Sequence, residues 1–303
     1  MSAQASFRVF PIGTDADRAA AHVLRAQVFV AEQGVPAALE RDALDADCRH
    51  VLAVDADGAA VGTGRLAPDG RIGRLAVRAD RRGRGIGDAL LRALLELAHA
   101  DGLARTHLHA QLRAMDLYAR HGFVAHGPAV FEAGIEHRAM HRHEGAAFPV
   151  DDLETAVGAS VAVILAARRG VCLRSRDLDP GLYDHPDVLR ALQRFATAGR
   201  GGTVRILLQD AAALRTGFAP VVALAQRLPS VFAIREVDTA PDRGFAGALL
   251  VNDAGGFHVR PLAHRVQGEA ATTLPARARR LVQAFDPVWE RSRPATELRA
   301  LGI

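Results

Sequence analysis

The chain has 303 residues, 49% of them hydrophobic and 24% charged, with a formal net charge of +4. These fractions match the globular average and exclude a disordered or collagen-like chain, and the length suits two ordinary domains better than one core. All 38 basic residues are arginine, yet +4 spread over 303 residues is too weak a field to indicate a nucleic-acid partner, even at a pI near 9.9.

Cys48 and Cys172 lack the close spacing of a zinc pair or a disulfide framework and read as reduced thiols. The N-terminus has no basic start followed by an apolar core, and the longest apolar run, VAVILAA at 161–167, is too short for a bilayer. A cytoplasmic protein with no membrane partner is expected.

In chain order, SFRVFPI alternates like a strand, and DADRAAAHVLRAQVF follows with helical spacing behind an Asp-rich start. HVLAVDADGAAVGTGRLAPDGRIGRLAVRAD predicts three strands of an antiparallel meander, turned at DADG and APDG. IGDALLRALLELAHADG predicts a helix with Ile86, Leu90, Leu94 and Leu97 on one face and Gly102 at its end. THLHAQ is a short strand, MDLYARHGF a short helix, and the stretch to His143 holds two more strands. Gly, Pro and acids in HEGAAFPVDD mark a boundary, which gives domains at 1–145 and 152–303 joined by a linker at 146–151. Ten of the 13 histidines precede it, so the halves are not a repeat. Beyond it, DLETAVGASVAVILAARRG and HPDVLRALQRFATAGRGG read as helices alternating with the strands VCLRS and TVRILLQD, the pattern of an α/β domain with parallel strands.

The loop in LAVRADRRGRGIG, residues 75–87, lies between a strand and the clearest helix. A first helical turn presents unpaired N–H groups and the positive end of the dipole. Gly83, Gly85 and Gly87 open the backbone to an anion, and Arg82 and Arg84 add charge-assisted hydrogen bonds, so a pyrophosphate fits. The spacing is not that of a P-loop, and the antiparallel sheet before it excludes a dinucleotide fold.

Arg82-x-x-Gly85-x-Gly87 resembles the R/Q-x-x-G-x-G/A signature of the GNAT superfamily of acetyl-coenzyme A dependent N-acetyltransferases. VFVAEQGVP, the series Glu40, Asp42, Asp45 and His50, VGTGRL and FEAGIEHRAM look like its ElaA-like branch, and the resemblance covers about residues 7–143. It implies an α+β fold with a mixed, mostly antiparallel sheet, acetyl-coenzyme A as co-substrate, and transfer to a primary amine by direct attack in a ternary complex. Leu75, Ala76 and Val77 would pair with the pantetheine arm from a bulged strand, and Arg82, Gly83, Arg84, Gly85, Ile86 and Gly87 would hold the pyrophosphate. The tyrosine that this family places before a Gly-Phe pair corresponds to Tyr118, ahead of Gly122 and Phe123, and is the implied acid. A backbone N–H at or near Val77 would be the oxyanion donor.

The base stays open among Glu32, His50, His109, Glu132 and a water, since a histidine titrates in the useful range unshifted whereas a glutamate must be raised by burial. Glu32 and His109 are taken as catalytic candidates, and His50, Arg65, Glu132 and His137 as acceptor contacts. The acidic cluster of Glu32, Glu40, Asp42 and Asp45 favours a cationic acceptor, a small-molecule or peptide amine. His137, His141 and His143 alternate along a strand, which does not make a tetrahedral site, and no metal is expected. A homodimer stays open because an apolar stripe serves a core or an interface equally, and so does an acyl-coenzyme A sensor without transfer activity.

In the second half, TVRILLQD, VFAIREV and ALLVND occur in an order that resembles half of a phospholipase D-like domain over about residues 152–292. Setting the H-x-K-x-x-x-x-D signature of that superfamily on ALLVND puts Phe245, Gly247 and Asn252 at its three positions, so its chemistry should be lost. Arg174, Arg176, Arg205, Arg260 and Arg265 lie near strand ends and could still line a groove for phosphate.

Overall fold

Strand β1 (Phe7–Pro11) leads into helix α1 (Asp15–Arg25), where the Thr14 hydroxyl accepts the Asp17 N–H at 3.1 Å and Asp15 and Asp17 face the helix dipole. The computed structural model describes residues 7–199, 201–211 and 220–298; the ends of the expected domains, 1–6 and 299–303, lie outside them. The chain forms two compact units. One comprises the described residues up to Tyr118 with Pro128–Glu144, the other Ala119–Gly127 with the described residues from Gly145 onward.

In the first unit, α1 passes into a π-helical segment, Ala26–Glu32, and a short helix α2 (Ala37–Glu40) follows. Strands β2 (Arg49–Asp55), β3 (Ala60–Leu66) and β4 (Ile72–Val77) continue from β1 as an antiparallel sheet in the order β1-β2-β3-β4, the expected meander. Helix α3 (Ile86–Ala100) buries Ile86, Leu90, Leu91, Leu94 and Leu97 on this sheet. Its closeness explains VGTGRL: a Cβ on Gly62 would stand 2.8 Å from Leu90 Cδ1, and one on Gly64 2.8 Å from Leu94 Cδ1. Strand β5 (Arg105–Gln111), helix α4 (Met115–Arg120), β6 (Val124–Glu132) and β7 (Ile135–His143) complete the region, with a three-stranded sheet ordered β5-β7-β6.

From Gly145 the second unit continues with β8 (Phe148–Val150), a strand inside the expected linker, with Val150 fully buried. Then come α5 (Leu153–Ala166), β9 (Gly170–Ser175), α6 (Pro186–Thr197), β10 (Thr203–Leu208), α7 (Pro220–Arg227) and β11 (Phe232–Glu236). The chain continues through α8 (Ala240–Arg243), β12 (Ala248–Asn252), β13 (Phe257–Arg260), β14 (Gly268–Ala271), α9 (Pro275–Arg291) and β15 (Arg293–Pro294). The eight-stranded sheet runs β15-β11-β10-β9-β12-β13-β14-β8. Only β9, β10 and β11 are parallel, so the parallel domain expected from the helix-strand alternation is a mixed sheet. Val163, Ile164 and Val188 pack with Leu173 and Ile206 in one core, while Phe285 and Trp289 of α9 pack with Leu207 and Val251 in another, so helices cover both faces. Val124 joins the first of these cores, and a Cβ on Gly158 would stand 2.2 Å from the Ala125 carbonyl oxygen. These contacts assign Ala119–Gly127 to the second unit. Among the described residues no helix is long and apolar enough to cross a membrane.

Candidate active site

The register of β4 on β3 carries the first feature. Gly62 pairs with Val77 and Thr63 with Ala76, but Arg65 pairs with Gly73, so Arg74 and Leu75 together oppose Gly64. This is a β-bulge, and Arg74 adopts φ of 51°, a left-handed conformation that costs any residue with a Cβ free energy. Its side chain holds it there: Nε donates to the Glu40 carbonyl at 2.9 Å, and Nη2 to the Leu39 carbonyl at 2.9 Å and to Asp42 Oδ2 at 3.1 Å. β4 and β5 belong to different sheets, and just before β4 an isolated bridge joins Arg71 to His107 of β5, where the His107 N–H donates to the Gly70 carbonyl at 3.1 Å. Beyond it a cavity of about 210 Å³ opens along β4, lined among others by Leu75, His109, Tyr118, Glu132 and His137.

Beyond β4 the chain turns through Gly83 at φ of 75° and Gly85 at φ of 80° into α3. Both are conformations that only glycine adopts cheaply, and open space surrounds the position of each missing Cβ. No side chain caps α3, so the N–H groups of its first turn are left for an external acceptor. Arg82 is already engaged. It donates to the Val77 carbonyl at 3.0 Å and forms a bidentate pair with Glu32 at 2.6 and 2.7 Å.

That pair corrects the expectation for Glu32. Its hydrogen bonds from Arg82 hold its carboxyl below the usual range, and it is not on the cavity wall, so it is a weak base placed to hold Arg82. His50 is corrected too. It is 4% exposed, burial lowers its pKa, its Nε2 lies 3.0 Å from the Asp45 carbonyl oxygen, and it does not line the cavity. Arg65 lines the cavity, but Nη1 donates to Asp42 at 2.8 Å and to Asp45 at 2.6 Å, and Nη2 to Asp42 at 2.9 Å.

Asp45 and Glu40 also receive Arg25, a fully buried guanidinium that sequence reasoning passed over. Burial pushes the Asp45 carboxyl upward, yet Arg25 and Arg65 outweigh it and hold the group far below its ordinary value. The acidic cluster is therefore neutralised from within and offers no attraction to a cationic acceptor. Its nearest sequence signal is one of number, Arg25, Arg65 and Arg74 against Glu40, Asp42 and Asp45, because the partners stand 15 to 32 positions apart.

The remaining candidates do converge. Tyr118 on α4 is 9% exposed, and desolvation raises its phenol to about 12. His109 Nδ1 is hydrogen-bonded to Glu132 Oε1. Burial raises the Glu132 carboxyl, but His109 prevails and keeps it below the usual range. His137 Nδ1 lies 2.8 Å from the Ile135 carbonyl oxygen.

A strand that bulges and splays from its neighbour, with an anion-receptive helix start at its end, offers an open edge that leads to a site for a phosphate-bearing ligand. Residues 14–143 match the acetyltransferase (GNAT) domain family, and residues 152–301 match a domain of unknown function, DUF7931. The uncharacterized N-acetyltransferase YjcF of Bacillus subtilis is 34% identical over 124 residues, which is 40% of this chain and 88% of that protein. Among solved structures, an acyl-CoA N-acyltransferase from Pseudomonas aeruginosa is 32% identical, with 45% of this chain and 99% of that one covered at a TM-score of 0.42. Escherichia coli ElaA is 26% identical, with 46% and 100% covered at a TM-score of 0.42. The chain belongs to the GNAT acetyltransferase family through its N-terminal half and is an acyltransferase.

Proposed function

We propose that the protein transfers an acetyl group from acetyl-coenzyme A to a primary amine by direct attack in a ternary complex. The observation that carries this reading is the meeting of the Arg74–Leu75 bulge, the open start of α3 and the cavity wall at Tyr118 around one sheet opening. Leu75, Ala76 and Val77 pair with the pantetheine arm, and the turn from Gly83 to Gly87 with Arg84 takes the pyrophosphate, while Glu32 steadies Arg82 at its edge.

The amine nitrogen attacks the acetyl carbonyl carbon, forming the C–N bond as the C–S bond breaks, with a backbone N–H near Val77 donating to the oxyanion. Tyr118, raised to about 12, remains protonated at neutral pH and donates a hydrogen bond to the departing thiolate; full transfer to a thiol of ordinary acidity is uphill. The amine proton passes to His109. With Nδ1–H directed at Glu132, Nε2 carries the lone pair that accepts it.

For the second unit we propose a non-catalytic phospholipase D-like module. The amide of Asn252 is spent on structure: Nδ2 donates to the Val163 carbonyl at 2.6 Å, and Oδ1 accepts from Ala254 and Gly256 at 2.9 and 2.8 Å. A Cβ on Gly247 would stand 2.8 Å from the Arg260 carbonyl oxygen, and Phe245 offers its ring to Arg174.

Calorimetric titration with acetyl-coenzyme A tests the first reading. Wild type should bind in about the micromolar range, and Gly85→Glu and the backbone-neutral Arg84→Glu should weaken or abolish binding. Absence of binding by wild type refutes it.

A further inference from the structure

The arginines on the cavity wall are Arg65, Arg71 and Arg74. Arg65 is matched by Asp42 and Asp45, and Arg74 by Asp42 and two carbonyls. With Arg25 facing Glu40 and Asp45, this internal network holds three guanidiniums against three carboxylates and is closed. Arg71 stands outside it. Its backbone N–H donates to Asp69 at 2.9 Å, but its guanidinium has no hydrogen-bond or ion-pair partner among the described residues. Glu132 feels its charge, last among the groups that lower its carboxyl, from beyond ion-pair distance.

The position of Arg71 is fixed by its bridge to His107. His109 is two residues further along the same strand and on the same side of it, about 7 Å away at the rise of a β-strand. The cavity therefore presents an unmatched cation at one point and, a short distance along β5, the imidazole and carboxylate of the His109–Glu132 pair. A simple alkylamine would leave Arg71 facing it uncompensated. An amine with its own carboxylate complements both points and fits a volume of about 210 Å³.

We infer that the acceptor is a small amine bearing a carboxylate, of the amino-acid class, with Arg71 as the residue that binds the carboxylate and so selects the substrate. The inference rests on the proposed acetyl transfer. The carboxylate takes N–H bonds from the Arg71 guanidinium, which leaves the amino group toward His109 and the acetyl carbon. Arg71 touches the acceptor away from the reacting atoms, so its contribution falls on acceptor binding.

The test measures release of the free coenzyme A thiol with acetyl-coenzyme A and matched acceptors: each of the common amino acids, its carboxamide, and the amine that lacks the carboxyl group. The acids should be the substrates, with kcat/KM about ten- to hundredfold above the amides and decarboxylated amines, chiefly through KM. Arg71→Gln should raise KM for the acids by a similar factor while leaving calorimetric affinity for acetyl-coenzyme A unchanged, and Arg71→Lys should restore part of the loss. Equal turnover of acid and amide, an unchanged KM in Arg71→Gln, or acetyl-coenzyme A binding with no turnover of any carboxylate-bearing amine overturns the inference and leaves the acetyl-coenzyme A reading standing. Failure of wild type to bind acetyl-coenzyme A brings down both.

Discussion

The first unit leaves Arg71, His109, Glu132 and Tyr118 along a cavity of about 210 Å³, whereas the second, although a cavity lined by Arg176, Arg243 and His264 opens in it, turns many of its other polar groups on one another. In the second unit Arg260 pairs with Asp179, which accepts from Ser175 at 2.9 Å. Arg205 reaches Asp286 at 2.9 Å beside the rings of Phe285 and Trp289, and Arg174 lies 4.1 Å from the centre of the Phe245 ring. Three of the five arginines expected to line a phosphate groove are thus used internally. The first unit shows both habits, since its Arg25–Arg65–Arg74 network is as closed as anything in the second. What separates a site from a scaffold here is whether the charges are matched from within, not how many there are.

The largest effect expected from this contrast is on turnover. Tyr118→Phe should lower kcat by about 10²- to 10³-fold, the loss of one donor to developing charge, with acetyl-coenzyme A affinity retained, measured by thiol release and calorimetry on the same preparation. The counterpart in the second unit is Asn252→Leu, which removes a buried amide with three partners and should cost about 1–3 kcal/mol of stability for each group left unpaired, with kcat unchanged. Loss of turnover in Asn252→Leu while the protein stays folded would break the comparison.

Next comes the closed network. Arg65→Leu leaves Asp42 and Asp45 short of a partner in a site where the arginine side chain is 5% exposed, and should destabilise the chain by about 3–5 kcal/mol in urea unfolding. Its effect on catalysis should follow from instability alone, so activity per folded molecule is the quantity to measure. A variant that is stable but inactive would mean that Arg65 serves the acceptor directly, as its sequence position suggested.

How much of this was legible depends on the sequence distance over which each feature acts. Helix α3 was plain from its own stripe of Ile86, Leu90, Leu94 and Leu97, and the helix start from the spacing of Arg82, Gly85 and Gly87, because both are local. The bulge and Tyr118 were legible only through family resemblance. Glu32 was misread because the residue that defines it, Arg82, stands 50 positions away, and no short-range pattern shows a bidentate pair across that gap. His50 looked like a site histidine because its local pattern does not show that it is buried and set against the Asp45 carbonyl. β8 was hidden in a segment whose Pro and acids read as a linker, since its burial is supplied by pairing with β14 from residues 268–270. Arg71 carried no signal as a sequence residue. It becomes distinctive only when every other cavity arginine is seen to be matched.

The smallest expected effect concerns acid, and it is read at one histidine of the second unit. His258 is 2% exposed, its Nδ1 lies 3.2 Å from Ser160 Oγ, and burial, with Arg260 nearby, pulls its pKa down to about 3. The unfolded chain takes up a proton near pH 6.5 while the folded unit refuses it, so the stabilisation is full above 6.5 and declines as pH falls toward 3. Asp45 is depressed as well, but from an ordinary value of 3.8, so the first unit keeps that contribution until the solution is far more acidic. The chain's only tryptophan, Trp289, belongs to the second unit, so its fluorescence reports from within that unit. In urea titrations between pH 7 and 4, wild-type stability read this way should fall with a slope approaching about 1.4 kcal/mol per pH unit from this group, and His258→Gln, which keeps a partner for Ser160, should flatten it. If the slope is the same in both proteins, the buried imidazole is protonated in the folded unit, and the second unit is then less closed to charge than its hydrogen bonding implies.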